Sequence, residues 1–265
     1  MNGSLPGYSQ GFARSAAEAA EPHWWRGLRT LHVPALGVGG NAGVIRDWSG
    51  YKRDATMTAG AAWAQTPEGW GVDTTGGGIL LPEGWISGEE SNMFTLVMSW
   101  TPNVLAGLNL MYDQFNSRLY LNNKTTCFEY YIGGATVDTS AHGMVVGQPS
   151  HIVLTASQDP DHRKVWCDGK LILASELAHS WGAGSPSGNA YIGALYTGAY
   201  TFKGKITFAA YYTREWSATE AMDFHIDPYR MLRPRERMMG GGAATQPSVL
   251  PWWYWEMAAK RRSFC

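Results

Sequence analysis

A period-two alternation of side chains in three stretches constrains the fold most strongly. The stretches are residues 93–101, 151–157 and 205–212. Successive side chains of a β-strand point to opposite faces of its sheet, so alternation predicts a strand with two different faces. In the third stretch, Ile206, Phe208, Ala210 and Tyr212 share one predicted face. One buried and one wetter face is typical of antiparallel sheets packed as a sandwich. Shorter strand-like runs lie at residues 108–112, 118–122, 128–132 and 191–195.

Two local signals fix a turn and a helix. Asp168-Gly169 lies between two strand-like runs and favours a type I′ hairpin turn. Ser217 followed by Glu220 has capping-box spacing, which predicts a short helix from about Ala218 to His225. Pro228 is then expected to end or redirect it.

Composition supports an all-β class and excludes several functions. The chain holds 32 glycines and 13 tryptophans, residue types that suit turns and sheets better than helices. Because 21 basic residues face 22 acidic ones, we expect no nucleic-acid partner. No apolar run approaches the roughly 20 residues that cross a bilayer, and no secretory signal is visible, so we expect no membrane partner and synthesis in a cytoplasm.

Three cysteines form no zinc-type cluster. Cys127, Cys167 and Cys265 are widely spaced and odd in number. We favour reduced core thiols for Cys127 and Cys167, with a bridge between them left open.

The chain divides into a central domain and two arms. We predict an N-terminal arm at residues 1–27, a domain at 28–233, and a basic, glycine-rich linker with a tryptophan-rich arm at 234–265. Aromatic residues in the arms are expected to dock on a partner, although the first two could instead dock on the domain itself. These residues are Trp24, Trp25, Trp252, Trp253, Tyr254 and Trp255.

Three motifs in order resemble a known family. The first is Asp47-Trp48-Ser49-Gly50 followed by Ala55-Thr56, the second is the Asp168-Gly169 hairpin, and the third is Gly204–Tyr212 followed by Trp216-Ser217 and Glu220. Together they resemble the LamG-like jelly roll of the concanavalin A-like lectin/glucanase superfamily, over about residues 26–233. The resemblance implies an all-β, antiparallel two-sheet jelly-roll sandwich with one short C-terminal helix.

Within that family the chain looks most like versions found in bacteriophage structural genes. Trp25-Arg26-Gly27-Leu28 and the Pro228–Pro234 phrase carry this likeness. It implies a non-enzymatic virion protein, either a capsid decoration or a tail-associated component, made in the host cytoplasm. Its partners would be the major capsid protein or tail proteins, and a homo-oligomer is compatible with the sequence.

The sequence gives little support to catalysis. Glucanases on this fold carry Glu-x-Asp-x-x-Glu on one strand, and this chain does not. Glu89-Glu90 is an adjacent pair, and Glu129 has no second carboxylate two or four residues away. His151, His162, His179 and His225 are scattered, so we expect surface or satisfied interior histidines. We therefore expect no enzyme, with a glycoside hydrolase as the remote alternative.

Calcium is a weak alternative, and no other cofactor is expected. The candidate ligands are Asp47, Asp54 and Asp73. Calcium needs six or more oxygens, whereas the Asp47-x-Ser49 spacing favours a self-capped turn. We therefore favour the turn role for Asp47.

Carbohydrate binding is the main alternative function, as an adhesion module for host or environmental polysaccharide. An exposed aromatic stripe on a sheet would form the platform. By strand alternation, the candidate outward rings are Trp166, Tyr211, Tyr120 and Tyr131. The competing interpretation is that loops or a neighbouring subunit cover these rings.

Overall fold

The computed structural model describes most of the chain. The described residues are 12–36, 43–82, 93–105, 109–114, 119–132, 135–158, 161–176, 190–194 and 201–235. The predicted docking residues Trp252, Trp253, Tyr254 and Trp255 lie outside them. No helix in these ranges is long and apolar enough to span a bilayer.

The described secondary structure is almost entirely β. In chain order the strands are β1 (Leu28–His32), β2 (Val44–Ile45), β3 (Ala55–Met57), β4 (Ala62–Thr66), β5 (Gly69–Asp73), β6 (Ile79–Leu81), β7 (Met93–Pro102), β8 (Asn109–Gln114), β9 (Leu119–Asn123), β10 (Phe128–Ile132), β11 (Ala135–Asp138), β12 (Ser150–Gln158), β13 (Asp161–Cys167), β14 (Lys170–Ser175), β15 (Ala190–Ile192) and β16 (Gly204–Tyr212). One α-helix, α1 (Ala218–Ile226), follows β16, and short 3₁₀ helices lie at Pro22–Trp25, Pro34–Leu36 and Arg230–Leu232.

These strands form two antiparallel sheets. Sheet I has the order β14-β13-β12-β7-β16-β5-β4, with β1 also pairing with β16. Sheet II has the order β11-β10-β9-β8-β15-β6-β3-β2. Neighbours in each sheet are often distant in sequence, as in a jelly roll. The predicted all-β two-sheet sandwich is confirmed.

The main core lies between the two sheets. The apolar face of β7 points into it, as alternation predicts, through Phe94, Leu96, Met98 and Trp100. Sheet II supplies Leu121, Phe128 and Tyr130. Burying these large side chains drives association of the sheets, at roughly 25 cal/mol per Å² of apolar surface.

Sheet I is buried on its other face as well, which corrects the expectation of a wetter face. A second apolar cluster lies there, with Val97 of β7 and Val153 of β12 beneath Trp24, Trp216 and Phe224. Residues before β1, helix α1 and the segment after it form this covering layer. Polar positions such as Thr95 and Ser99 are therefore buried too.

The predicted hairpin and helix are both confirmed. Asp168 and Gly169 have φ values of 51° and 75°, as a type I′ turn requires, between β13 and β14. At α1, the Ser217 hydroxyl accepts a hydrogen bond from the Glu220 backbone N–H, and the Glu220 carboxylate accepts one from the Ser217 backbone N–H.

Residues 12–27 pack against the segment that follows α1. The Ala13 N–H donates to the Leu232 carbonyl at 2.8 Å, and the Ala20 N–H donates to the Arg233 carbonyl at 2.8 Å. Glu21 forms an ion pair with Arg230. This part of the predicted N-terminal arm is thus tied to the sandwich.

Candidate functional site

A row of side-chain positions crosses sheet II from edge to edge. Cross-strand partners follow one another in the order Val44, Thr56, Leu80, Tyr191, Asp113, Tyr120, Tyr131 and Thr136. The neighbours of this row along each strand, such as Leu121 and Tyr130, point into the core. Because strand side chains alternate, the row residues whose side chains are described face away from the core. The half-buried ones are Leu80, Tyr191, Tyr120 and Tyr131, and the exposed ones are Val44, Thr56 and Thr136.

Two tyrosines lie side by side in this row, towards its β11 end. Tyr120 of β9 and Tyr131 of β10 stack with ring centroids 4.8 Å apart and an interplanar angle of 3°. Each ring therefore has one face against the other and one face turned away. Burial and the neighbouring Glu129 carboxylate raise the pKa of Tyr120, so its hydroxyl is a hydrogen-bond donor near neutral pH. That hydroxyl donates to Glu129 Oε1 at 3.2 Å.

Charged groups border the tyrosine pair. Lys124 Nζ lies 2.8 Å from Glu129 Oε2 and 2.7 Å from Asp138 Oδ1. Hydrogen bonds from Lys124 to Asp138 and Glu129 raise the pKa of the lysine. Glu129 has no acidic neighbour two or four residues away along the chain. Its acidic neighbour Asp138 instead lies opposite it on β11. We call Tyr120, Tyr131, Glu129, Asp138 and Lys124 the tyrosine face.

Two of the four predicted platform residues are buried, and these predictions are wrong. Trp166 points away from the main core as predicted, but it is only 3% exposed because the covering layer packs over it. Tyr211 is 0% exposed and lies in the main core, stacked on Phe94 with centroids 6.0 Å apart. A β-bulge between Ile206 and Phe208 shifts the alternation in β16 by one residue.

Two predicted docking residues are also used within the chain. Trp24 is 3% exposed, with its ring centroid 5.0 Å from that of Trp216. Trp25 Nε1 donates to the Met231 carbonyl at 2.8 Å. For these two rings the structure shows the alternative left open by the sequence, docking on the domain itself.

The Asp47 carboxylate is held in its own turn. Its Oδ1 accepts the Leu31 and Ser49 backbone N–H groups, each at 2.9 Å. Its Oδ2 accepts the Ser49 hydroxyl at 2.8 Å and the Arg53 N–H at 2.9 Å. Asp54 in turn accepts the Asp47 N–H, and Asp73 accepts the Thr75 N–H. Four donors surround the Asp47 carboxylate, an arrangement that suits a turn better than calcium.

A second polar cluster lies beneath α1, on the buried face of sheet I. Glu68, from the turn between β4 and β5, accepts hydrogen bonds from Ser99 Oγ at 2.5 Å and Thr207 Oγ1 at 2.6 Å. His151 Nε2 contacts Glu68 Oε1 at 2.8 Å. Burial acts to raise the pKa of Glu68, but the bonds from His151, Ser99 and Thr207 outweigh it, and the pKa is lowered overall.

The other side of His151 faces a histidine and an aspartate. His151 Nδ1 lies 3.2 Å from His225 Nδ1, on α1. Asp168 Oδ1, in the β13–β14 turn, lies 3.9 Å from the first nitrogen and 3.6 Å from the second. It also accepts the His151 backbone N–H at 2.7 Å. We call His151, Asp168, His225 and Glu68 the histidine cluster.

The spacing of these histidines along the chain suggests no shared site. His151 and His225 are 74 positions apart, and Glu68 is 83 positions from His151. The one sequence feature that points to the cluster is the Asp168-Gly169 turn. In the structure this turn places the Asp168 carboxylate against His151 of the neighbouring strand β12.

Solved structures share this fold. Domain 4 of AbnA, a GH43 extracellular arabinanase from Geobacillus stearothermophilus solved with arabinotriose, matches 75% of this chain and 98% of its own, with a TM-score of 0.60 and 16% identity. Trypanosoma rangeli sialidase matches with a TM-score of 0.56 and 21% identity, over 75% of this chain but only 32% of the sialidase. The binding domain of Paraclostridial Mosquitocidal Protein 1 matches with a TM-score of 0.56, 12% identity and coverage of 75% and 52%.

These likenesses concern the fold. They place the chain among β-sandwiches compatible with a lectin-like jelly roll. No protein-family model and no curated protein sequence matches the chain.

Proposed function

We propose that the protein is a carbohydrate-binding β-sandwich module whose ligand lies on the tyrosine face. The observation that carries this proposal is the stacked pair Tyr120 and Tyr131 in a partly exposed row across sheet II. Aromatic faces supply apolar contact for the C–H groups of a sugar, and adjacent polar groups bind its hydroxyls. Both kinds of group stand within one face.

The charges on this face favour an uncharged sugar. Glu129 and Asp138 carry two negative charges against the single positive charge of Lys124. An acidic sugar such as sialic acid would meet unfavourable charge there. The arabinanase domain with the same fold was solved with arabinotriose, which is neutral, and this makes arabino-oligosaccharides the first probe.

The proposal is binding without hydrolysis. A two-carboxylate glycosidase needs one group to protonate the leaving oxygen and another to attack or to activate water. On the tyrosine face a single lysine pairs with both carboxylates. Incubation with arabino-oligosaccharides is therefore expected to leave their chain lengths unchanged, as chromatography of the products would show.

The test is a polysaccharide screen followed by calorimetry on tyrosine variants. The wild-type chain should bind at least one neutral polysaccharide, and Tyr131→Ala should weaken binding by about tenfold or more, since a stacked aromatic contributes about 1–3 kcal/mol. Tyr51→Ala is the matched control, because Tyr51 is 49% exposed and packs with Arg29 and Arg53 outside sheet II. Equal binding by both variants, or no binding to any neutral glycan, contradicts the proposal.

A further inference from the structure

We propose that His151, Asp168 and His225 bind a divalent transition-metal ion, and that zinc fits the site best. One ligand atom from each residue lies within 4.8 Å of the other two. Two imidazole nitrogens with one carboxylate oxygen are a donor set suited to zinc and related ions rather than to calcium or magnesium. The site is separate from the tyrosine face, since it lies on sheet I beneath α1.

The distances between the ligand atoms match tetrahedral coordination. Atoms bound to zinc at 2.0–2.1 Å with tetrahedral angles stand about 3.4 Å apart, and at right angles about 2.9 Å apart. The observed separations are 3.2, 3.6 and 3.9 Å. All three exceed the right-angle value and bracket the tetrahedral one, so small side-chain rotations would bring the three atoms onto one ion.

Glu68 prepares His151 for this role. Its Oε1 lies 2.8 Å from His151 Nε2, which places the ring proton on Nε2 and leaves the Nδ1 lone pair directed towards His225 and Asp168. A carboxylate that accepts the distal N–H of a metal-binding histidine orients the ring and raises its basicity. Ser99 and Thr207 hold Glu68 in turn.

The charges of the histidine cluster also favour a divalent cation. His151 Nδ1 and His225 Nδ1 lie 3.2 Å apart, and both face Asp168 Oδ1. Asp168 and Glu68 together bring two negative charges to the cluster, and a divalent cation balances both. An ion at this point would be bound by three ligand atoms.

The position of the site gives the ion a structural consequence. His151 belongs to β12, Asp168 to the β13–β14 turn and His225 to α1, so one ion would join three elements. The side chains of His151, Asp168 and His225 are 10%, 33% and 16% exposed, which gives the ion a path from solvent and leaves a fourth position for water. We infer that the metal fixes α1 on sheet I.

The experiment uses the full chain stripped with a chelator and then titrated with zinc. We expect one zinc per chain by equilibrium dialysis and a Tm increase of roughly 5–10 °C at a concentration 100-fold above Kd. Cobalt(II) should give the intense visible absorption of tetrahedral coordination without a thiolate charge-transfer band, because Cys167 Sγ is not a proposed ligand. Absence of saturable binding, a weak octahedral spectrum or a thiolate band would each overturn the proposal.

Two conservative variants locate the ion. His225→Gln and Asp168→Asn should each weaken zinc binding by at least about tenfold. Asparagine tolerates the positive φ of position 168 and keeps an oxygen for the His151 N–H, so the turn is retained. His23→Gln, an exposed histidine beside Trp24, is the control and should bind zinc like the wild type. Unchanged affinity in His225→Gln and Asp168→Asn would place the metal elsewhere and refute this site.

Discussion

A single extra residue in β16 decides which of its aromatic rings enters the main core between the two sheets. Strict alternation from Ile206, which faces the main core, would turn Tyr211 to the opposite face of sheet I. The bulge before Phe208 shifts the alternation by one residue, so Tyr211 enters the main core. Tyr120 and Tyr131 lie on strands paired without such a shift, and their predicted outward orientation is found. Bulges depend on the partner strand, which is why alternation along one strand does not reveal them.

Buried histidines make the stability of the protein sensitive to mild acid. Burial lowers the pKa of His32, which is 1% exposed, and burial also lowers the pKa of His142. In the unfolded chain these groups take up protons below about pH 6.5, while the folded state resists protonation. Stability should therefore be full above pH 6.5 and fall as the pH decreases towards 5.

Urea unfolding between pH 7.5 and 5.5 measures this effect. Each histidine contributes a slope of at most about 1.4 kcal/mol per pH unit. His32→Gln should be less stable than the wild type at pH 7.5 but should show a shallower dependence on pH. A free energy of unfolding that is constant over this range would contradict the assignment.

At the scale of elements, the sequence predicts where α1 lies along the chain but not that it packs on sheet I. The capping box at Ser217 and Glu220 marks where the helix begins, and the structure has it there. That the helix covers sheet I depends on contacts across the chain, such as Phe224 against Phe208 with centroids 5.3 Å apart. Local signals describe such a helix but not the surface on which it packs, so the burial of Trp166 was missed.

Substitution of Trp166 separates packing from binding. Trp166→Ala removes a large side chain from the covering layer and should destabilise the fold by about 3–5 kcal/mol. Because the residue lies on sheet I, away from the tyrosine face, glycan affinity at a temperature where the variant is folded should match the wild type. Denaturant unfolding and calorimetry measure the two effects, and a large loss of affinity without loss of stability would return Trp166 to the binding site.

At the scale of the molecule, the two ends of the domain are fastened to each other. Residues 12–20 bond to residues 232–235, so the sandwich includes a layer drawn from both ends of the described chain. The histidine cluster likewise joins residues from three distant parts of the sequence. Such contacts depend on the order in which strands pair, and the family resemblance implied that order only in outline. The spacing of residues along the chain does not predict them.

Truncation tests where the domain ends. Removing residues 240–265 should leave the Tm unchanged, since the sequence predicts a flexible glycine linker at residues 240–242 between the domain and the tail. Ending the chain after Ile226 should lower the Tm markedly, because it removes Tyr229, Met231 and Leu232 from the second cluster. If removing residues 240–265 alone unfolded the domain, this tail would be part of the core.

The virion role stays a prediction that rests on the sequence resemblance. It is compatible with glycan binding, because a particle-borne protein can also attach to a polysaccharide. Co-purification of the full chain with assembled particles, lost on removal of residues 240–265, is the expected result. Undiminished incorporation of the truncated chain would contradict docking through the tail.

The location of a bound sugar tests the central claim most directly. A crystal structure of the full chain with the neutral oligosaccharide that binds best in solution should place the sugar on sheet II, in contact with Tyr120 or Tyr131 and within hydrogen-bond distance of Glu129 or Asp138. A sugar bound at sheet I or at a loop remote from these tyrosines would contradict the account.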